Sequence, residues 1–179
     1  LYPKVTLDFY LTGRRVDLIK EPVDLALRVG NLQDSTLKVK RIGEISNILV
    51  AAPQFLTLNR ELIEIEDVEK LPTIGFGEMG KIKEWKLKSQ KKEVTLSINP
   101  RLMTNSMDVY LQFALEGKGV ALIPSVIAQD KVSKGELVHL FKSYRTIPIP
   151  VQFVTAPQKE IPLKVKRFMD FSIEKLASN

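Results

Sequence analysis

Thr104, Asn105 and Ser106 offer the polar groups with the clearest chemical use in this sequence. They stand where a predicted strand gives way to a predicted helix, so two hydroxyls, a side-chain amide and free backbone N–H groups occur together. Such a set favours an anion, because the N-terminus of a helix carries a partial positive charge. The same residues also suit ordinary N-capping, and both interpretations stay open at this stage.

A second candidate lies at the end of a strand predicted over residues 23–29, whose loose alternation indicates cover on most of both faces. Gly30 closes that strand and is free to adopt a positive φ, which lets a ligand approach the backbone. The guanidinium of Arg28 suits either a ligand carboxylate or a surface ion pair. Because βαβ sheets bind ligands at the carboxyl ends of their strands, the predicted functional end comprises Arg28, Val29, Gly30 and Asn31.

Two other motifs favour structure over chemistry. Residues 75–80 match G-x-G-x-x-G, but the residues that follow alternate with period two and predict a strand, so a phosphate cradle would lack its helix. We interpret this segment as a flexible glycine-rich loop. The lysine-rich residues 81–92 contain only Trp85 as an aromatic platform, which favours a solvated hairpin protecting a sheet edge over a nucleic-acid interface.

Catalytic and metal-ligating combinations are sparse. His139 is the only histidine and alternates with apolar neighbours, which favours packing. The absence of cysteine excludes disulfides, thiolate nucleophiles and cysteine-ligated metals. The acidic residues within 61–69 are typical of a solvated face, and no Ser-His-Asp set or G-x-S-x-G elbow is recognisable. We therefore predict a protein that is not an enzyme and that needs no cofactor or metal.

The composition is that of an ordinary globular domain, with 44% hydrophobic and 27% charged residues. No apolar run approaches the roughly 20 residues that span a bilayer, and no export signal is visible. The net charge of +6 favours anionic partners, although solubility alone also explains it.

Hydrophobic spacing predicts an α/β fold. The chain opens with a strand over 4–10, a helical turn over 15–19 that Pro22 ends, and the strand over 23–29, an order that predicts a parallel sheet. Further strands are predicted over 39–44, 47–52, 93–98, 120–123, 137–141 and 151–155. Helices are predicted near 55–56 and over 65–71, from Asn105 or Ser106 to 116, over 125–134, and from Pro162 with apolar Val165, Phe168, Met169, Ile173 and Leu176.

Several short segments occur in order along nearly the whole chain. They are Val-Asp-Leu-Ile at 16–19, Asp-Leu-Ala-Leu-Arg-Val-Gly at 24–30, Leu-Val-Ala-Ala-Pro at 49–53, Leu-Pro-Thr-Ile-Gly-Phe at 71–76, Thr-Asn-Ser at 104–106, Leu-Glu-Gly-Lys-Gly-Val-Ala-Leu-Ile-Pro at 115–124 and Pro-Leu-Lys-Val at 162–165. No single segment is diagnostic, but the ordered set resembles the effector domain of LysR-type transcriptional regulators.

This resemblance implies two Rossmann-like α/β lobes joined by two crossover strands, a type II periplasmic-binding-protein-like arrangement. Residues 1–52 with 153–179 would form one lobe and residues 53–152 the other, with crossovers at 48–52 and 151–155. Family effector domains normally begin with a strand and a helix that precede the segment matching residues 1–3. We therefore expect the sequence to be a fragment that lacks this first strand and helix, which contribute to one wall of the cleft.

The resemblance also implies a site and partners. Thr104, Asn105 and Ser106 match the effector-contacting loop, and Arg28 to Asn31 would face it across an inter-lobe cleft, with Phe76, Ile123 and Pro124 as apolar walls. The effector is expected to be a small anionic or aromatic molecule. A winged helix-turn-helix encoded upstream would bind DNA, and the regulator would form a homodimer or homotetramer in the cytoplasm, away from membranes, with RNA polymerase as a further partner.

Two other classes of protein share this scaffold. A solute-binding protein of a transporter would have an export signal and act as a monomer, whereas the regulator requires a DNA-binding head and self-association. An enzyme such as a lyase or dehydratase is the second alternative, and the sparse acid–base inventory argues against it.

Overall fold

The chain divides into two units in the computed structural model, which describes residues 3, 5–32, 36–59, 62–78, 81–157 and 160–177. Unit 1 comprises Leu1–Glu44 with Ile149–Asn179, and unit 2 comprises Ile45–Pro148. The predictions made for residues 4, 61, 79 and 80 lie outside the described part. The strands are β1 (Ala26–Val29), β2 (Lys38–Ile45), β3 (Asn47–Ala51), β4 (Ile74–Phe76), β5 (Glu84–Lys88), β6 (Glu93–Ser97), β7 (Leu102–Thr104), β8 (Ala121–Pro124), β9 (Val138–His139) and β10 (Ile149–Thr155). The helices are α1 (Pro53–Leu58), a 3-10 helix (Ile65–Lys70), α2 (Met107–Leu115), α3 (Ser125–Ser133) and α4 (Leu163–Ala177).

Unit 1 is built on a three-stranded sheet in the order β1-β10-β2, in which β1 and β10 run antiparallel. Helix α4 packs on this sheet, as its helical spacing of apolar residues predicts. Its Val165 and Met169 are buried with Phe153 of β10 and form the centre of the unit 1 core. Leu176, also predicted on the apolar face, is 60% exposed near the end of the helix.

The beginning of unit 1 differs from the prediction. Residues 5–10 form no strand, and the exposed fraction of Phe9 reaches 70%. Their alternating pattern specifies a face, but a strand also needs a neighbour for its backbone groups, and no strand of the described residues pairs with them. The expected parallel βαβ unit is therefore wrong for the described residues, because β1 pairs with β10 in antiparallel fashion. Nor is β1 covered on most of both faces, since Leu27 and Val29 are more than half exposed.

Unit 2 contains a sheet in the order β8-β3-β9 and a parallel pair β4-β7. A parallel bridge between Thr73 and Val120 brings β4 beside β8. Helices α2 and α3 pack against these strands around Ile74, Tyr110 and Ile123, all of which are almost completely buried. The helix boundaries agree with the prediction to within one or two residues, whereas β9 is much shorter than the predicted strand over 137–141.

The remaining strands of unit 2, β5 and β6, form the predicted antiparallel hairpin. Trp85 and Leu87 of β5 and Leu96 of β6 point to the same face and are buried, as strict alternation requires. On the opposite face the lysines pair with carboxylates, for example Lys88 with Glu93 at 2.8 Å. These contacts agree with the prediction of a solvated hairpin.

The boundaries between the two units fall earlier than the resemblance implied. The chain leaves unit 1 after Glu44 and returns at Ile149, whereas boundaries at 52/53 and 152/153 were expected. The physical reason is the pairing of β3, which is hydrogen-bonded between β8 and β9 and so belongs wholly to unit 2. The segment 48–52 is therefore a core strand of unit 2, with Leu49, Val50 and Ala51 fully buried.

We expect the stability of unit 2 to depend on pH through Asp67 in the 3-10 helix. Hydrogen bonds from the Glu64 backbone N–H and the Lys70 ammonium, with a further one from Ile63, lower the pKa of this carboxyl from 3.8 to about 2. Because the folded-state pKa is depressed, the stabilisation is complete above pH 3.8 and is lost as the pH falls through 2. Asp67→Asn should therefore flatten the fall in stability over this range, measured by urea unfolding at successive pH values. Parallel pH profiles for the two proteins would contradict this role.

Candidate functional site

The carboxyl ends of three strands of unit 2 lie at one edge of the unit. Strands β4 and β7 are parallel, with Phe76 opposite Thr104, and the N–H of Gly77 donates to the carbonyl of Thr104 at 2.8 Å. Strand β8 runs in the same direction beside β4, because their bridge at Thr73 and Val120 is parallel. We call this the strand-end edge. It comprises the last residue of β4, the last residue of β7 with the two residues that follow it, and the last two residues of β8: Phe76, Thr104, Asn105, Ser106, Ile123 and Pro124.

The donors of the strand-end edge come from the N-terminus of α2. Ser106 occupies the N-cap position, but its side chain makes no capping hydrogen bond. Instead the hydroxyl oxygen of Thr104 accepts the N–H of Ser106 at 3.0 Å, which fixes the turn from strand to helix. Asn105 and Ser106 are exposed. The first-turn N–H groups of α2 are thus not satisfied by an N-cap side chain and can donate to a ligand anion.

A neighbouring acidic side chain reduces the electrostatic stabilisation that the helix dipole offers to an anion at this edge. Asp108 lies in the first turn of α2 and is exposed, so its carboxylate already complements the positive end of the helix dipole. An anion placed here would therefore depend mainly on direct hydrogen bonds, for which the exposed Asn105, Ser106 and backbone N–H groups are the available donors. This geometry favours a ligand with a small, directional acceptor group such as a carboxylate.

Of the three apolar side chains predicted for this edge, only Phe76 is exposed. Phe76 is 37% exposed, and its ring lies 5.5 Å from the ring of Tyr110 at an interplanar angle of 48°. Ile123 is fully buried in the core of unit 2, and Pro124 is buried as well. The apolar wall expected at Ile123 and Pro124 stays a prediction: both side chains are buried, and Ile123 belongs to a core cluster of unit 2.

The second predicted set of residues lies at the end of β1 in unit 1. Gly30 has φ +106°, as expected for a residue that must adopt the left-handed region. Its N–H donates to Pro150 and its carbonyl accepts from the Gln152 side chain, each at 2.9 Å, so β10 holds it from both sides. Val29 and Asn31 are exposed.

Arg28 has a structural contact that sequence reasoning did not anticipate. Its Nη2 donates to the carbonyl of Val16 at 2.6 Å, which ties the turn before β1 to the strand. This contact is neither the ion pair nor the ligand carboxylate that was considered. It uses one side of the guanidinium fork, which carries five donors in all.

The other sequence candidates behave as structural elements. His139 is half-buried in β9, and burial lowers its pKa, aided by the charges of Lys142 and Arg145, so its neutral form is favoured. In the glycine-rich segment the next described element is strand β5, and no helix begins between residue 77 and that strand among the described residues. Across the ranges that the structure describes, no group of three or more histidine or acidic side chains is placed to hold a metal ion.

Tyr110 is the residue that sequence reasoning missed. It lies inside α2, is only 1% exposed, and contacts the ring of Phe76. The one available signal was a tyrosine on the apolar side of a short helix, since a buried hydroxyl usually requires a hydrogen-bonding partner. Its partners belong to two strands distant in sequence and could not be deduced locally.

The chain is similar to known proteins along most of its length. The family description "LysR substrate binding domain" matches residues 1–177. The HTH-type transcriptional regulator PtxR of Pseudomonas aeruginosa is 24% identical over 169 residues, covering 94% of this chain and 54% of the relative. The HTH-type transcriptional regulator CrgA of Neisseria meningitidis serogroup C is 25% identical over 179 residues, covering 99% and 60%. The chain thus spans a little over half the length of these relatives.

Solved structures share the fold. A variant regulatory domain of AphB from Vibrio vulnificus aligns with a TM-score of 0.82 at 23% identity, covering 97% of this chain and 86% of that domain. The regulatory domain of CrgA from Neisseria meningitidis aligns with a TM-score of 0.80 at 23% identity, covering 92% and 81%. The predicted type II periplasmic-binding-protein-like α/β fold is thereby confirmed. Among the described residues, no helix combines the length and the apolar character needed to cross a membrane. Since the family match extends over residues 1–177, the chain belongs to the LysR substrate binding domain family.

Proposed function

We propose that this chain is the effector-binding domain of a LysR-type transcriptional regulator and that its strand-end edge holds a small anionic or aromatic molecule. The observation that carries this proposal is the meeting of Phe76, Thr104 and the N-terminus of α2 at the ends of parallel strands. Ligands of open α/β sheets bind at such carboxyl ends. A carboxylate would accept hydrogen bonds from Asn105, Ser106 and the first turn of α2, and an aromatic group would contact Phe76.

A second set of contacts is proposed from the resemblance. Arg28, Val29, Gly30 and Asn31 match family positions that bind the effector, and both Val29 and Asn31 are exposed. Ligand occupancy would change the population of domain states only as far as the ligand binds one state more tightly than another. That differential affinity is the proposed signal.

The proposal also covers the complete regulator. We infer an upstream winged helix-turn-helix that binds DNA, self-association as a homodimer or homotetramer, contact with RNA polymerase, and a cytoplasmic location. The names of the relatives support this reading, since PtxR and CrgA are both described as HTH-type transcriptional regulators. They favour the regulator over a transporter's solute-binding protein and over an enzyme on the same scaffold.

The combined substitution Asn105→Ala and Ser106→Ala is expected to weaken carboxylate binding about tenfold, because it removes two side-chain hydrogen bonds to a charged group. The backbone N–H groups remain, so binding should not disappear. The measurement is an NMR titration of the labelled chain with acetate, benzoate and other small carboxylates, followed at the amides of residues 104–107.

The matched control is Ser133→Ala at the C-terminal end of α3, where the hydroxyl donates to the carbonyl of Asp130. It should leave both the fold and the affinity unchanged. An equal affinity of the double variant and the native chain, or no binding of any carboxylate to the native chain, would refute the proposed anion contact.

A further inference from the structure

A parallel ladder begins immediately before strands β4 and β8. The N–H of Val120 donates to the carbonyl of Pro72, and the N–H of Ile74 donates to the carbonyl of Val120, each at 2.9 Å. These two bonds flank the bridge between Thr73 and Val120. In a regular ladder the next bond would join the N–H of Leu122 directly to the carbonyl of Ile74.

The hydroxyl of Tyr110 takes the place of that bond. It accepts the N–H of Leu122 at 2.8 Å and lies 3.2 Å from the carbonyl of Ile74 and 3.3 Å from the carbonyl of Leu122. A phenol has one proton to donate and can accept at the same time, so it can relay the missing ladder bond. The two strands are therefore connected through a side chain two residues beyond their last direct bridge.

Two contacts of Tyr110 and the position of Ile74 on β4 link this relay to the strand-end edge. The ring of Tyr110 packs beside that of Phe76, with 5.5 Å between the ring centroids. The backbone N–H of Tyr110 donates to the carbonyl of Ser106 at 3.0 Å, which connects it to the first turn of α2. The carbonyl of Ile74 lies two residues before Phe76 on the same strand. Tyr110 is therefore bonded to the first turn of α2, packed against Phe76, and in contact through its hydroxyl with β4.

The environment keeps the relay in its working protonation state. Tyr110 is almost completely buried, and burial raises the pKa of its phenol well above the usual range, so the hydroxyl stays protonated at any physiological pH. A phenylalanine here would fill almost the same volume but would leave the Leu122 N–H without its partner.

We propose that Tyr110 is a positioning residue that inserts its hydroxyl between β4 and β8, holds these strands apart at the strand-end edge, and thereby sets the places of Phe76 and the first turn of α2. This inference rests on the proposed function for its consequence in ligand binding, but not for its structural content. It differs from a purely packing role, in which the ring alone would matter and the hydroxyl would be dispensable.

The test compares the full 179-residue native chain with Tyr110→Phe by NMR and amide hydrogen exchange. The Leu122 amide is expected to exchange about tenfold faster in the variant, which is the loss of one typical hydrogen bond. Chemical shifts at Phe76, Thr104 and Ser106 should move more than those elsewhere in unit 2. Tyr144→Phe is the matched control, because it removes a phenol hydroxyl from the same unit, at a side chain that packs against the other core cluster.

Shift changes spread evenly over unit 2, or an unchanged exchange rate at Leu122, would overturn the proposal. The native chain gives an independent check should the variant fail to fold: the Tyr110 hydroxyl proton should exchange slowly and show a nuclear Overhauser effect to the Leu122 amide, and its absence would also overturn the proposal. Titration of both proteins with benzoate separates the two claims. A native chain that does not bind benzoate argues against the proposed function, whereas the structural comparison decides the role of Tyr110 without it.

Discussion

Replacing Trp85 by alanine should lower the free energy of unfolding of unit 2 by about 3–5 kcal/mol, the range for aromatic-to-alanine changes in a core. Trp85 is only 5% exposed and lies opposite Leu96 in the β5–β6 hairpin. It belongs to a buried cluster that also contains Leu49 of β3 and Phe55 of α1. Its side chain therefore holds the hairpin on the rest of the unit, and its removal leaves a large cavity.

Urea unfolding followed by circular dichroism would measure this loss, with Lys86→Ala as the control. Lys86 is the next residue on the same strand, points to the opposite face and has a side chain that is 72% exposed. Its pairing with Glu84 at the surface is worth little, so the control should change stability by about 0.5 kcal/mol or less. Similar losses in the free energy of unfolding for the two variants would show that the burial of Trp85 does not hold the hairpin on unit 2.

The hairpin is also where sequence reasoning worked best. Trp85, Leu87 and Leu96 alternate with charged or polar residues, and a two-residue period leaves one assignment of faces. Helix α4 was predictable for a similar reason, because Val165 and Met169 are four residues apart and so share one face of this fifteen-residue helix. In both cases the local pattern contains the information that the fold uses.

Residues 5–10 show where the same reasoning stops. Their alternation is as clean as that of β6, yet Val5, Leu7 and Phe9 are exposed. A periodic pattern does not contain the identity of a pairing partner. The antiparallel pairing of β1 with β10 joins residues more than a hundred positions apart, such as Ala26 and Val154. Such a contact depends on the closure of the whole chain, which only the family resemblance could suggest.

The candidate site was likewise predictable only in part. Local signals predicted the change from strand to helix at Thr104 to Ser106, because Ser106 and Asp108 are typical of a helix start. The meeting of this turn with Phe76 depends on the parallel pairing of β4 and β7, which no local signal specifies. The hydroxyl of Tyr110 joins α2 to β4 and β8, and no local pattern specifies which strands it contacts.

Gly119→Ala is expected to destabilise unit 2 by about 1–3 kcal/mol, the range for overpacking in a closely packed site. A β-carbon at this position would lie 2.6 Å from the carbonyl oxygen of Pro72. That oxygen belongs to the backbone and accepts the N–H of Val120, so it cannot move aside without breaking the first bond of the β4–β8 ladder. The cost is steric, and it arises at the first hydrogen bond between the two strands.

Thermal and urea unfolding of Gly119→Ala should be compared with Gly43→Ala, a strand glycine whose added β-carbon would meet no atom within 4 Å. The control should be neutral or slightly stabilising, because alanine restricts the unfolded chain more than glycine does. Loss of the ladder should also quicken exchange of the Val120 and Leu122 amides in the Gly119 variant, whereas β5 and β6 should keep their protection. If Gly119→Ala were as stable as Gly43→Ala, the close approach of Gly119 to Pro72 would not be needed for stability. The strand spacing that Tyr110 is proposed to set would then not begin at a fixed backbone contact.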